Sequence, residues 1–167
     1  MKRRIAWILA AVMMLLCVAG CAAAPETTQP DAPKESYSFT YNGTKIALHA
    51  DMAAVLAGLG EPLTYTESTS CAFDGLDKVY GYASFNIETY PKDGKDYISG
   101  WYFKDDMVKN DEGIAVGSAQ ADVEKAYGTE GFNGTNSYVM RKGDGTLTII
   151  IKDGFVSSVQ YAATFDE

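Results

Sequence analysis

The chain has 167 residues, 47% of them hydrophobic, and carries 22 acidic against 14 basic side chains for a net charge of −8. Phosphate backbones repel such a chain, so nucleic acid is excluded as the expected partner. Neither a zincin helix nor a cofactor-binding motif is present.

Lys2, Arg3 and Arg4 open the chain, and an uncharged run follows from Ile5 to Ala24. Small residues close the run at Val18-Ala19-Gly20-Cys21. The charge, apolar, small order is that of an export signal. This segment resembles the signal peptide and lipobox of bacterial lipoproteins, with Val18 where Leu is commoner. The resemblance implies removal of residues 1–20, lipid on Cys21, and a domain on the outer face of the cytoplasmic membrane, or in an outer membrane if the envelope has one. The run is also long enough for a retained transmembrane helix, which needs about 20 residues. Either reading leaves the basic start inside and the rest outside.

Residues 21–35 are rich in Pro, Ala, Thr and charge, and read as a flexible tether. Residues 36–167 suit one domain with its own core. Loss of the three basic residues at the start leaves 11 basic against 22 acidic side chains. Cys71 is then the only cysteine without a role in the signal or the anchor. It has no partner for an intramolecular disulfide, so the core must hold the fold.

Ile46–Gly60 aligns without a gap on Ile114–Gly128. Ile46/Ile114, Ala47/Ala115, Ala53/Ala121, Val55/Val123 and Gly60/Gly128 are identical, and His49 stands where the second copy has Gly117. Each copy predicts a short helix. Met52, Val55, Leu56 and Leu59 make one face of the first, and Val123 and Tyr127 of the second. Ser118 is the expected N-cap, and Gly128 suits a left-handed helix end. Glu61-Pro62 stops the first helix.

Strands are expected at Lys78–Tyr82, Ser84–Tyr90 and Tyr97–Phe103, and again at Ser137–Arg141, Thr146–Lys152 and Phe155–Tyr161. Gly143-Asp144-Gly145 and Asp153-Gly154 are hairpin signals between the last three. The predicted fold is α+β. Two αβββ repeats, at about 44–103 and 112–161, form an antiparallel sheet with helices on one face and the other face partly open.

Gly117, Ser118, Val123, Tyr127 and Gly128, with Asp153, Gly154 and Val156, resemble the β-lactamase-inhibitor-protein-like repeat. Leu59-Gly60-Glu61-Pro62 is similar to a signature of small SmpA/OmlA-type outer-membrane assembly lipoproteins. The resemblance implies a non-enzymatic domain that binds another envelope protein. No inhibitory residue carries over.

The aromatics supply the candidate site. All eleven Tyr and Trp101 follow Cys21. Tyr80, Tyr82, Tyr90 and Trp101 are expected on the open sheet face, where Tyr and Trp suit a partner surface. Ordinary cross-strand packing is the competing reading of the same residues. The same face would suit a sugar or cell-wall peptide, as a sensing domain. Cys71 with His49 is the one nucleophile–base pair the composition allows. Asp105, Asp106, Asp111 and Glu112 lack the alternation of a calcium loop and read as a solvated connector.

Overall fold

The computed structural model describes residues 35–165. The expected signal peptide, Cys21 and the expected tether up to residue 34 lie outside them. Nine strands and two helices are found among the described residues. A hairpin of β1 (Ser38–Tyr41) and β2 (Thr44–Ala47) comes first, then α1 (Met52–Leu59). Four strands follow: β3 (Thr64–Thr69), β4 (Leu76–Gly81), β5 (Phe85–Lys92) and β6 (Lys95–Phe103). Then come α2 (Gln120–Tyr127), β7 (Ser137–Lys142), β8 (Gly145–Lys152) and β9 (Phe155–Ala163). β3–β9 make a seven-stranded antiparallel sheet in the order β3-β4-β5-β6-β9-β8-β7, and β1–β2 is a separate two-stranded sheet.

This corrects the expected pair of αβββ repeats. The fold is β-rich, and each of its two helices has only eight residues. The first half of the chain gives the large sheet four strands and the second half three. A β-hairpin shares the covering of the sheet with the helices. Its turn is Asn42-Gly43, at φ 48° and 79°, the left-handed pair that a two-residue type I′ turn demands. Asp93-Gly94 and Asp153-Gly154 repeat that geometry at φ 51° and 73°, and at φ 54° and 81°.

Side-chain alternation sets the two faces. Tyr80 pairs with Ile87, Ile87 with Trp101, and Trp101 with Tyr161. All four point to the covered face, along with Phe85, Phe103, Leu147 and Ile149. Phe39 of the hairpin inserts there, edge-on to Phe85 and Phe103 and 5.3 Å from the Trp101 ring. Met52 and Val55 of α1 and Val123 of α2 complete this core. Both helices end at a glycine, Gly60 at φ 78° and Gly128 at φ 75°. Asp51 caps α1 by accepting the Ala53 N–H at 3.0 Å. Ser118 does not cap α2: its hydroxyl instead accepts the Ala115 N–H, and Ala119 holds the cap position without a side-chain bond.

β6 and β9 join the two halves of the sheet at Gly100↔Ala162, Trp101↔Tyr161 and Tyr102↔Gln160. The approach there is close enough that a Cβ on Gly100 would lie 2.4 Å from the Tyr161 carbonyl oxygen. Each half then carries a bulge. Register shifts between Glu88 and Thr89, leaving Ser99 over, and between Ile150 and Ile151, leaving Ser157 over. Beyond the bulges the free strand edge takes up the segment leading into each helix. His49 N–H bonds Ile98 O, and Ile98 N–H bonds Ala50 O. In the second half Gly117 N–H bonds Val156 O, and Val156 N–H bonds Ser118 O. What recurs in the structure is this junction, smaller than the predicted repeat.

Candidate functional site

The structure separates the four aromatic candidates. Trp101 is fully buried on the covered face, and Tyr80 joins it there at 7% exposure. Tyr82 follows β4, stacks on Phe85, and donates its hydroxyl to the Gly60 carbonyl at 3.2 Å. These three are core side chains, because the β1–β2 hairpin and α1 cover the face they share. Tyr90 alone has the opposite parity. It lies on the outer face of β5 with Asn86 and Glu88, and is buried there by other groups.

Those groups form the candidate site. Phe73, from the loop between β3 and β4, and Phe165, just past β9, lean on Tyr90 and on each other. The three ring centroids form a triangle with sides of 4.9, 5.0 and 4.9 Å. Phe165 is held in place by its neighbour: the Thr164 N–H donates to the Asp144 carbonyl in the β7–β8 turn at 2.7 Å. Two adjoining grooves share these rings. One, of about 470 Å³, is completed by His49, Lys92, Asp144 and Thr164. The other, of about 360 Å³, includes Asp77, Lys78, Glu88 and Ser99.

His49 is the polar centre of the first groove. Its Nδ1 lies 2.9 Å from the Tyr90 hydroxyl, and its Nε2 lies 3.4 Å from Asp144 Oδ2. Burial, then the neighbouring Tyr97 and Asp144, push the Tyr90 phenol up, so it stays protonated. Nε2 faces the Asp144 carboxylate. The 3.4 Å separation does not complete a hydrogen bond, and both His49 Nε2 and Asp144 Oδ1 are buried without one. The groove therefore offers an imidazole nitrogen and a carboxylate oxygen, both without a hydrogen bond, side by side against aromatic walls.

His49 also occupies strained backbone. Its φ is 61°, and the matching junction residue Gly117 sits at 87°. Glycine adopts this region freely, and other L-residues pay about 1–2 kcal/mol. The departure of the first copy from the second at this position thus places an imidazole where the fold itself favours glycine. Strain kept at one residue points to a task for its side chain. His49→Gly is expected to be more stable than His49→Ala by about 1 kcal/mol, although glycine gives up more unfolded-chain entropy. Urea unfolding of the two variants decides it, and an alanine variant as stable as the glycine one removes the strain argument.

Cys71 is exposed and is not among the contacts of His49, whose ring partners are Tyr90, Asp144 and Phe165. The acidic connector makes local contacts: Asp105 accepts the Met107 N–H, and Glu112 accepts the Tyr127 hydroxyl. Among the described residues no three His, Cys, Asp or Glu side chains converge as a metal site. Phe73, Asp144 and Phe165 were not foreseen from the sequence. They reach the site from a loop, a hairpin tip and a strand end, and no local spacing marks such a meeting.

No family model and no curated protein matches this chain. Among solved structures it is similar to an extracellular protein containing a SCP domain from Bacillus anthracis str. Ames, at a TM-score of 0.41 and 15% identity. The match covers 70% of this chain and 44% of that one, so the chain spans less than half the length of that protein. A likeness this slight carries no argument about fold or function.

Proposed function

We propose that the chain is a non-enzymatic lipoprotein, anchored through Cys21 at the outer face of the cytoplasmic membrane, whose domain binds another envelope protein. The groove built on Tyr90, Phe73, Phe165 and His49 is the binding surface. The observation that carries this reading is the pairing of an aromatic wall, exposed at Phe165, with buried, unbonded polar atoms at His49 and Asp144. Aromatic anchors around a few convergent polar groups are what recognition sites use. Cys71 stands apart from His49, so the nucleophile–base pair that the composition allows is not assembled in the groove. The anchor adds local concentration, so a modest affinity suffices near membrane-bound partners.

Both grooves also have the volume of small-molecule sites, which favours cell-wall fragments as the second reading. One experiment separates the two. A photo-crosslinking side chain is placed in living cells at Lys92 or Phe165, and as a control at Val139 on the far edge strand. A discrete protein adduct from the groove positions and not from Val139 is the expected result. Adducts that disappear when purified cell-wall fragments are added favour the second reading. Equal labelling at all three positions removes the groove as the surface.

A further inference from the structure

We infer that the second groove, between Glu88, Asp77 and the Phe73–Tyr90–Phe165 ring triangle, receives a basic side chain of the partner. This rests on the protein-binding reading above and names the chemistry of its anchor.

The groove is bounded by two β-strands and the ring triangle. Glu88 stands on the outer face of β5, next to Tyr90 along the strand. Val79 lies directly opposite it on β4, which puts Asp77 on the same face, one diagonal step away. Both carboxylates line a cavity of about 360 Å³ whose wall also includes the rings of Phe73, Tyr90 and Phe165. Lys78 also borders the cavity, but it is committed elsewhere: it donates to Asp96 at 2.7 Å. Among the described residues no cation is paired with Glu88. Burial first, and the charge of Asp77 second, push the Glu88 carboxyl above the usual carboxylate range. Among the described residues no side chain compensates the charge of that carboxyl.

A bound ammonium or guanidinium reverses that situation. It pairs with Glu88 and Asp77 and meets the ring faces, where a partly desolvated cation gains further attraction. An anion would be repelled by both carboxylates. A neutral group would leave Glu88 unpaired. The surplus of acid over base along the chain pulls a basic partner in the same direction.

The pH dependence follows with a definite sign. Glu88 titrates above its ordinary value in the empty groove, and the bound cation favours its charged form. Binding therefore releases a proton in that window, and affinity rises as pH rises through it. The charged and titratable groups around Glu88 are Asp77 of β4, Lys78 at the groove's border with its β6 partner Asp96, Tyr90 on its own strand, and Tyr102 of β6, which is hydrogen-bonded by Asn86. Glu88→Gln assigns the slope, because it leaves all of these in place.

The test uses the full chain, titrated with Nα-acetyl-lysine methylamide, its arginine counterpart and its uncharged norleucine counterpart. Aromatic proton resonances serve as the readout. The two cations are expected to bind at least about tenfold more tightly than norleucine, within the range of a partly desolvated cation–ring contact. Glu88→Gln should remove that margin and the pH slope, while Asp77→Asn should reduce the margin and keep the slope. Norleucine binding as well as lysine sinks the inference without any variant. So does a Glu88→Gln protein that keeps its preference for cations. If Phe165 crosslinks a partner while lysine and norleucine bind alike, the groove reading stands and the cation inference fails. If lysine binds selectively and no partner is crosslinked, the groove is a cation pocket and the protein-binding reading fails.

Discussion

Trp101→Ala is expected to destabilise the domain by about 3–5 kcal/mol, the usual cost of truncating a fully buried Trp. The indole has no exposed surface. It stacks on Tyr161 at 4.7 Å and 22°, and Phe39 packs against it at 5.3 Å. These rings tie the covering hairpin to β6 and β9, at the seam between the two halves of the sheet. The cavity would open where those parts meet, so little can collapse to fill it. A loss of that size is a large share of the roughly 5–15 kcal/mol that a domain has in total. Trp101→Phe should cost clearly less. It keeps a ring in the stack and removes an indole N–H that is buried without an acceptor. Urea midpoints of the two variants check both statements. An alanine variant within about 0.5 kcal/mol of the parent, as for ordinary surface substitutions, would put Trp101 back on an accessible face.

This prediction also shows where sequence reading was strong and where it failed. Asp-Gly turns are local chemistry, and the hairpins at Asp93-Gly94 and Asp153-Gly154 could be placed from them. Asn42-Gly43 carries the same signal, but a reading organised around the Ile46/Ile114 alignment starts too late to use it. The hairpin it makes is what covers Trp101, so its omission opened a face that is closed. β3 gave no pattern at all, because every residue from Thr64 to Thr69 is exposed and nothing alternates.

Parity along single strands was informative. Phe85 and Ile87 do face the core, and Asn86, Glu88 and Tyr90 do face away. Register between strands was not legible, and register is what puts Tyr80 and Trp101 beside Ile87. The candidate site has the same dependence. His49 and Tyr90 are 41 positions apart and meet only because a bulged strand edge takes up the segment before α1. The one local clue was the mismatch of His49 with Gly117. Its meaning, an imidazole held at positive φ, needs the backbone to be seen.

Asn110→Ala should cost about 2–4 kcal/mol, although Asn110 lies in a connector that the sequence presents as solvated and acidic. Its side chain is 5% exposed and fully used. Oδ1 accepts the Ile114 N–H at 2.7 Å, and Nδ2 donates to the hydroxyls of Tyr127 at 2.7 Å and Tyr161 at 2.8 Å. Burial pushes both phenols far up, and the Tyr127 hydroxyl donates to Glu112 at 2.9 Å. Alanine leaves a backbone donor and two hydroxyls short of partners, at about 1–3 kcal/mol for each group that water does not reach. The half-buried Tyr127 recovers part of this through solvent, which keeps the total below the sum. Tyr161 carries the effect inward, because its ring is the one stacked on Trp101. A double-mutant cycle of Asn110→Ala with Tyr161→Phe should therefore show coupling of about 0.5–3 kcal/mol, the range for directly bonded partners. Strict additivity would mean that the amide holds the connector alone. Coupling would mean that a single Asn, set between Lys109 and Asp111, locks α2, β9 and the aromatic stack into one cooperative core.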